Sequence, residues 1–343
     1  TEFRLFNNRL WGDFNYYTRD DKDRIISVTS APQSGYSTRK MNAGLIRNRG
    51  VELSLGGMPV STKNWKWEMN FNIAKNSNKL VELADGVDSY SIYWTSFTTR
   101  LYNYAMVGKS LGVITGNTWE RDDNGNIIFH ELSASQKALY GGEYVPTYNQ
   151  NTLDELGNFH PDFTGGFNTS ISFKNFRLSA NIDFSVGGQI VSYTNMWGSS
   201  SGILDKTAEL NDRGVNVREP VSKGGGIHMT GVDQNGNKVD TYVNAKLYYT
   251  TASRVWEEWV YDRTYVKLRE VSLSYVFPSQ TLKKLNIGLS RASVAINASN
   301  PWLIYSACPN VDVSEIGMGY FEGGNAAATR SIGFTVNPVS YTH

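Results

Sequence analysis

The sequence predicts an all-β fold, an antiparallel β-barrel that crosses an outer membrane with its strands. Long stretches of alternating polar and apolar residues predict the strands, and an ordered series of short and long connections predicts the barrel. Composition agrees, because 13% of the 343 residues are aromatic and 20 of them are tyrosines. Aromatic and β-branched side chains suit the pleated surface of a sheet.

The alternation is clearest from Trp65 to Ile73, where odd positions are apolar and even positions are polar or charged. The same period recurs at 167–173 and 176–186. Such a period indicates strands with one apolar and one polar face. Crossing a bilayer takes about 9–11 tilted residues, whereas the mean globular strand has about 5–6. Strand length therefore favours a membrane barrel.

The two faces of such strands predict where each side chain points. We expect Trp67 and Ile182 to face lipid, and Asn70, Asn181 and Asp183 to face the lumen. A secreted or surface-attached adhesin built as a β-sandwich is the alternative, because it would bury the apolar face instead. No uninterrupted apolar run long enough for a transmembrane helix occurs.

The connections between predicted strands alternate in length. Lys174-Asn175 is a two-residue turn, and 56–64 and 278–284 are also short. The long connections lie near 20–47, 76–163, 187–262 and 300–329. Outer-membrane barrels have short periplasmic turns and long extracellular loops. We therefore expect the four long connections to be extracellular loops.

About eleven strands are predicted in total, including Tyr93–Tyr104 and Leu111–Arg121 inside the longest loop. An odd number cannot close such a barrel, so we expect further strands outside this chain. Pro338 lacks a backbone N–H, and it predicts that the last strand stops pairing near Asn337.

Six segments in order carry a family resemblance. They are NAGLIRNRGVEL at 42–53, NFNIAKNSNKL at 70–80, GNFHPDFTGGF at 157–167, YVKLREVSLSYVFP at 265–278, NASNPWL at 297–303 and RSIGFTV at 330–336. Together they resemble the C-terminal half of the β-barrel of SusC-like (SusC/RagA) TonB-dependent outer-membrane transporters. Lys75 is one departure from the family pattern.

The resemblance implies a 22-stranded barrel in the bacterial outer membrane, with an N-terminal plug domain and a TonB box that are absent from this chain. It implies a SusD-like lipoprotein lid, contact with TonB through the missing N-terminal part, and contact with lipid and with the remaining barrel strands and plug. The implied function is TonB-dependent import of oligosaccharides or peptides. A passive porin is the alternative within transport.

Aromatic residues concentrate in the predicted extracellular loops, and we expect Trp94, Trp119, Tyr148 and Trp197 to bind ligand. Aromatic rings stack on sugar faces and peptide groups. The alternative is that such rings form interfacial girdles or loop cores, because barrels carry aromatic belts in any case.

Other function classes find little support. Lys and Arg total 33 against 32 Asp and Glu, a balance that argues against a nucleic-acid partner. No catalytic motif occurs, and Glu257 and Glu258 would point to opposite faces of a strand, so no enzyme activity is expected. We expect no cofactor and no metal, because Asn-Gly at 122–126 and 233–237 is the strongest short signal for hairpin tips.

Overall fold

The computed structural model describes residues 1–23, 25–29, 38–42, 44–95, 100–285, 288–316, 321–323, 326 and 328–340. Within these ranges the chain consists mainly of antiparallel strands with a few short helices. None of the helices in the described ranges has the length and apolar character needed to cross a membrane.

The strands, numbered in chain order, have the following bounds. They are β1 Glu2–Leu5, β2 Leu10–Lys22, β3 Ile25–Thr29, β4 Thr38–Asn42, β5 Leu45–Ser61, β6 Trp65–Glu82, β7 Ser89–Thr95, β8 Leu101–Met106, β9 Val113–Gly116, β10 Ile128–Glu131, β11 Tyr144–Pro146, β12 Asp154–Asn158, β13 Phe163–Phe173, β14 Phe176–Val186, β15 Gln189–Ser192, β16 Ile227–Asp233, β17 Lys238–Val243, β18 Val260–Asp262, β19 Tyr265–Val276, β20 Leu289–Ser306, β21 Phe321–Glu322 and β22 Ser331–Ser340.

The helices are short and lie in the connections. They are α1 Ala134–Tyr140, α2 Tyr193–Ser200, α3 Ala245–Ala252 and α4 Ser279–Leu285, with 3₁₀ turns at Asp205–Ala208, Val221–Lys223, Trp256–Trp259 and Val313–Glu315.

Among the described residues, nine strands form one large antiparallel sheet in the order β1-β2-β5-β6-β13-β14-β19-β20-β22. Two of the turns that join its hairpins contain residues with positive φ. Asn7 and Asn8 lie at φ 56° and 63°, and Lys174 lies at φ 51°, the left-handed region that tight turns use. Phe173 consequently pairs directly with Phe176.

Side chains sort into rows across the large sheet. One row is apolar and runs through Trp67, Ile171, Leu178, Leu273, Ile296 and Phe334. A row on the other face is polar and runs through Asn70, Asn168, Asn181, Glu270, Ser299 and Ser331. The predicted segregation of Trp67 from Asn70 and Asn181 onto opposite faces is therefore observed.

The long connections fold into smaller sheets that share a core. Strands β11-β10-β16-β17, β12-β9-β8-β7 and β18-β15-β21 form three of these sheets. Residues from 101–156 and 190–261 meet in one apolar cluster, in which Phe129, Met196, Trp256 and Trp259 are each 0% exposed. We call residues 89–95, 101–158, 189–262 and 321–322 together the loop body.

Two sequence predictions differ from the structure. Residues in Tyr93–Tyr104 and Leu111–Arg121 contribute β7, β8 and β9 to a loop-body sheet, so the described part of the large sheet has nine strands and not about eleven. The expected stop near Asn337 is wrong, because β22 pairs with β20 as far as Ser340. Pro338 lies opposite Ala292 inside this ladder, so its missing N–H removes one donor without ending the pairing.

Trp256→Ala should loosen the loop body and spare the large sheet. Removing a buried tryptophan costs about 3–5 kcal/mol, because a cavity remains. Hydrogen exchange of the full-length protein should speed up at 113–119 and 245–262 and stay slow in β13 and β14. Leu139→Ala, at a side chain that is 72% exposed, is the control. Equal exchange in the two variants would contradict a shared core.

Candidate functional site

An apolar cavity of about 560 Å³ opens beside α2. Its walls include Tyr93, Tyr193, Trp197, Ile203, Leu204 and Phe321. Three of these side chains are well exposed although they are apolar: Trp197 is 41% exposed, Tyr93 45% and Ile203 78%. A concave, mostly apolar site with a few polar groups at its edge is the usual form of a ligand pocket.

Helix α2 is held in place by hydrogen bonds between its N-terminal residues and Glu322 of β21. The Ser192 hydroxyl accepts from Asn195 N at 3.1 Å and donates to Glu322 Oε2 at 2.9 Å. Thr194 N also donates to Glu322 Oε2, at 3.0 Å. A buried carboxylate at a helix N-terminus is favourable because the free N–H groups point toward it. Glu322 thereby holds the start of α2 next to β21.

The same contact brings the cavity's aromatic rings together. β15 pairs with β21 in parallel, with Val191 opposite Phe321. The Phe321 ring then lies 5.2 Å from that of Tyr193 and 4.9 Å from that of Tyr93. Residues far apart in the sequence therefore build one wall of the cavity.

Trp119, which the sequence suggests as a ligand-binding residue, lies in the core of the loop body. It is 4% exposed, and its ring packs 6.2 Å from that of Tyr248. Its backbone N donates to Glu257 Oε2 at 3.1 Å, and its indole N–H donates to Glu258 Oε2 at 3.3 Å. Trp119 therefore supports the loop body from inside and offers no ring face to a ligand in this conformation.

The expectation that Glu257 and Glu258 diverge is wrong. They lie in the 3₁₀ turn Trp256–Trp259 and not in a strand, so both carboxylates reach Trp119. Glu257 also binds Arg121 through two hydrogen bonds of 2.9 Å. These partners occupy the two carboxylates as structural acceptors.

The remaining two predicted residues lie apart from each other. Tyr148 is half-buried, and its backbone pairs with that of Trp119 in an isolated bridge. The backbone of Trp94 pairs with Tyr102 in β7 and β8, but the Trp94 side chain lies outside the described part of the chain. Of the four predicted residues, the structure places Trp197 in the cavity wall.

The two Asn-Gly segments form hairpin tips, as their sequence indicates. Asp122 Oδ1 accepts from Asn124 N and Asn126 N, at 3.0 and 2.8 Å. Asp233 repeats this arrangement with Asn235 and Asn237. Across the described residues, no group of three His, Cys, Asp or Glu side chains is arranged to hold a metal ion.

An ionic network fastens a later segment to the polar face of the large sheet. The Lys267 side chain, 2% exposed, donates to Asp312 Oδ2 and Glu315 Oε1 at 2.7 Å each. Arg269 forks onto Asp183 at 2.8 and 2.9 Å and also contacts Glu315. Asp183 therefore lies on the polar face, as predicted. A buried ammonium needs partners of this kind, because its transfer from water is costly when it is left unpaired.

Two carboxylates of this network, those of Asp312 and Glu315, have pKa values below their ordinary ones. Hydrogen bonding from Lys267 lowers the pKa of Glu315. Burial raises the pKa of Asp312, but hydrogen bonds from Lys267 and Ser314 outweigh it, so that the pKa lies below its ordinary value. Their ion pairs therefore stabilise the docked segment above the unfolded-state pKa values of about 4 and are lost as the pH falls through the lowered values.

The chain is similar in sequence to part of several larger proteins of known class. No family model matches the chain. It is 28% identical over 316 residues to TonB-dependent receptor P3 of Formosa agariphila, covering 90% of this chain and 29% of that receptor. It is 30% identical over 198 residues to TonB-dependent receptor SusC of Bacteroides thetaiotaomicron, covering 55% of this chain and 19% of SusC. The chain thus spans about a third or less of these relatives.

The solved structure of the RagAB peptide importer in its open-open state has the same fold. The TM-score is 0.68 at 18% identity, over 99% of this chain and 34% of that one. The fold is thus that of part of an antiparallel β-barrel. The resemblance that the sequence motifs predicted is confirmed, and the chain is similar to part of a SusC-like TonB-dependent transporter.

Lys267→Met should release the segment around Asp312 at neutral pH, because the half-buried carboxylate of Asp312 and the exposed one of Glu315 lose their shared ammonium partner. Hydrogen exchange of 307–316 in the full-length protein, corrected for intrinsic rates, is the measurement. Lys283→Met, at an exposed lysine of α4, is the control.

The unmodified protein should release the same segment only when the pH falls well below 4, because both pKa values are lowered. Unchanged protection of 307–316 in Lys267→Met at pH 7 would show that the network does not hold the segment.

Proposed function

We propose that this chain is a barrel-forming part of a TonB-dependent importer in a bacterial outer membrane, and that its loop body binds the imported ligand. The segregation of the large sheet into an exposed apolar face and a polar face carries the proposal. The apolar cavity beside α2 supports the ligand-binding part.

The exposed apolar face suits contact with lipid. Leu178, Leu273 and Ile296 are 45–46% exposed in the middle of the sheet. A sandwich adhesin would cover such side chains with a second sheet. No second sheet covers them in the described residues, which favours a membrane barrel over the adhesin.

Aromatic side chains bound this apolar face at both ends. Trp65 and Phe173 pack at 4.3 Å near the short turns, and Tyr16 and Phe163 lie toward the long connections. From Phe163 to Phe173 the strand rises roughly 33 Å at about 3.3 Å per residue. A tilt of about 35–45° reduces this rise to ~25 Å, the height of the apolar band in outer-membrane barrels. The long connections would then be extracellular.

The two edge strands support a larger barrel. β1 and β22 each pair on one side only within the described sheet, and Phe334 on β22 is 79% exposed. Unpaired edges are unfavourable in lipid, because backbone groups there need partners. We infer that other barrel strands of the same transporter pair with them, and that its plug and its TonB contact lie in parts outside this chain.

The ligand we propose is an oligosaccharide or a peptide, held between the loop body and a SusD-like surface lipoprotein. Two relatives are named TonB-dependent receptors, and the RagAB structure is that of a peptide importer. We expect ligand to contact the aromatic residues of the cavity wall, which are Trp197, Tyr93, Tyr193 and Phe321. Trp94 stays a prediction from sequence, whereas Trp119 and Tyr148 are better explained as supports of the loop body.

Charge tolerance should differ between the two faces of β14. Ile182→Arg places a cation against lipid, which costs about 2–4 kcal/mol near the bilayer midplane. Asn181→Arg adds the same cation beside Glu270 on the polar face and should cost much less. The fraction of heat-modifiable, assembled barrel in outer-membrane extracts is the measurement. Equal assembly of the two variants would argue against lipid contact.

Removing rings from the cavity should weaken uptake in steps. Aromatic contacts add about 0.5–1.5 kcal/mol each beyond area burial, so Trp197→Ala alone should reduce uptake slightly and the double change with Tyr93→Ala more strongly. Uptake of the cognate substrate, normalised to the amount of transporter at the cell surface, is the measurement. Leu139→Ala serves as control, and normal uptake by the double variant would rule out a role for the cavity.

A further inference from the structure

A second pocket borders the chain segment that follows α2. It has a volume of about 230 Å³, and its lining includes Ser199, Thr207, Arg218, Lys246 and Tyr249. Ser201 lines both this pocket and the apolar cavity. A group bound in the second pocket would therefore lie next to a group bound in the first.

The second pocket is cationic. Arg218 and Lys246 contribute two positive charges, and the described lining contains no carboxylate. Arg218 donates from Nε to Thr207 O at 2.8 Å and from Nη2 to Thr207 Oγ1 at 2.6 Å. These contacts fix the plane of the guanidinium, and no described residue accepts from its Nη1. A preoriented guanidinium with free donors is suited to carboxylate, sulfate or phosphate oxygens.

Lys246 lies in the first turn of α3, next to the helix N-terminus. Asn244 caps that terminus by accepting from Lys246 N at 3.0 Å. The dipole of α3 adds positive potential at this end, and no described residue pairs with the Lys246 ammonium. Both effects favour an anion.

Ser199 supplies an independent observation. It is 1% exposed and lines the pocket, yet its buried Oγ has no hydrogen-bond partner among the described residues. Buried hydroxyls without partners are uncommon, because each loses its bonds to water. A ligand oxygen in the pocket would supply the missing partner.

Tyr249 does not oppose a negative charge in this pocket. Burial is the main cause that raises its pKa to about 12, and its hydroxyl donates to Lys206 O at 3.0 Å. The ring therefore stays neutral at physiological pH.

We propose that the pocket of Ser199, Arg218 and Lys246 binds an anionic group of the transported ligand, next to an apolar group held in the cavity of Trp197. This inference rests on the proposed ligand-binding role of the loop body and deepens it, because it predicts an anionic ligand. The anion is a carboxylate, as at the end of a peptide, or a sulfate or phosphate ester, as on a modified sugar.

The test measures binding of matched probes to the full-length transporter by calorimetry. One pair is N-acetyl-leucine and N-acetyl-leucinamide, which differ in the carboxylate. The other is methyl glucoside 6-sulfate and methyl glucoside, which differ in the sulfate. At least one anionic probe should bind about tenfold or more tightly than its neutral partner. The pair that shows the preference identifies the source of the anion.

Three variants locate the preference. Lys246→Gln and Arg218→Gln should each reduce it, and Lys223→Gln, at an exposed loop lysine outside the pocket, should leave it unchanged. Lys246 makes no side-chain hydrogen bond in the described structure, so its replacement tests the charge without loosening the loop that Arg218 holds.

Equal binding of both members of both pairs would overturn the inference, as would a preference that survives in Lys246→Gln and Arg218→Gln. If the cavity of Trp197 does not bind the apolar group, the result is different. Binding of N-acetyl-leucinamide would then not change in Trp197→Ala, whereas the preference for anions would still respond to Lys246→Gln.

Discussion

The two-residue period of the large sheet is the constraint on which the rest of the molecule depends. A slip of one residue between β13 and β14 would move every apolar side chain of one strand to the polar face. The two-residue turn at Lys174-Asn175 fixes that register, and a β-bulge between β14 and β19 adjusts it between Asn181 and Ile182. Beyond the bulge Leu268 lies opposite Ile182, so apolar residues still face each other. Arg269 is the extra residue of the bulge, and its side chain binds Asp183.

The large sheet could be predicted from the sequence because its signal is local. Its longer strands carry their own alternation, and the pairs β1-β2, β5-β6, β13-β14 and β19-β20 are joined by short connections. The loop body could not be predicted in this way. Its ladders join distant segments, such as β10 with β16 and β15 with β21, both in parallel. Its strands are only two to seven residues long, so alternation within them says little.

The candidate site, like the loop body, could be predicted only in part from the sequence. Aromatic residues in the long connections are recognisable in the sequence, but the sequence does not say which rings are buried. Trp119 became part of a core because the carboxylates of Glu257 and Glu258 satisfy its polar groups. Trp197 stayed at the surface of α2, facing the cavity. Ser199, Arg218 and Lys246 carry no sequence motif, and only the folded structure brings them to one pocket. Lys267 lies within a family-like segment, yet its partners Asp312 and Glu315 come from a different connection.

The shared core of the loop body also bears on how the chain assembles. β6 ends at Glu82 and its partner β13 begins at Phe163, so their pairing closes a long loop. The entropy cost of closure grows with loop length, by about 0.6 kcal/mol per doubling for a flexible chain. In the described part of the 76–163 connection, β8, β9 and β12 form one ladder whose last strand ends at Asn158. A ladder that formed first would bring the two ends of that connection toward each other before β6 and β13 pair. The part of the molecule proposed to recognise ligand would then also lower the entropy cost of joining two neighbouring barrel hairpins.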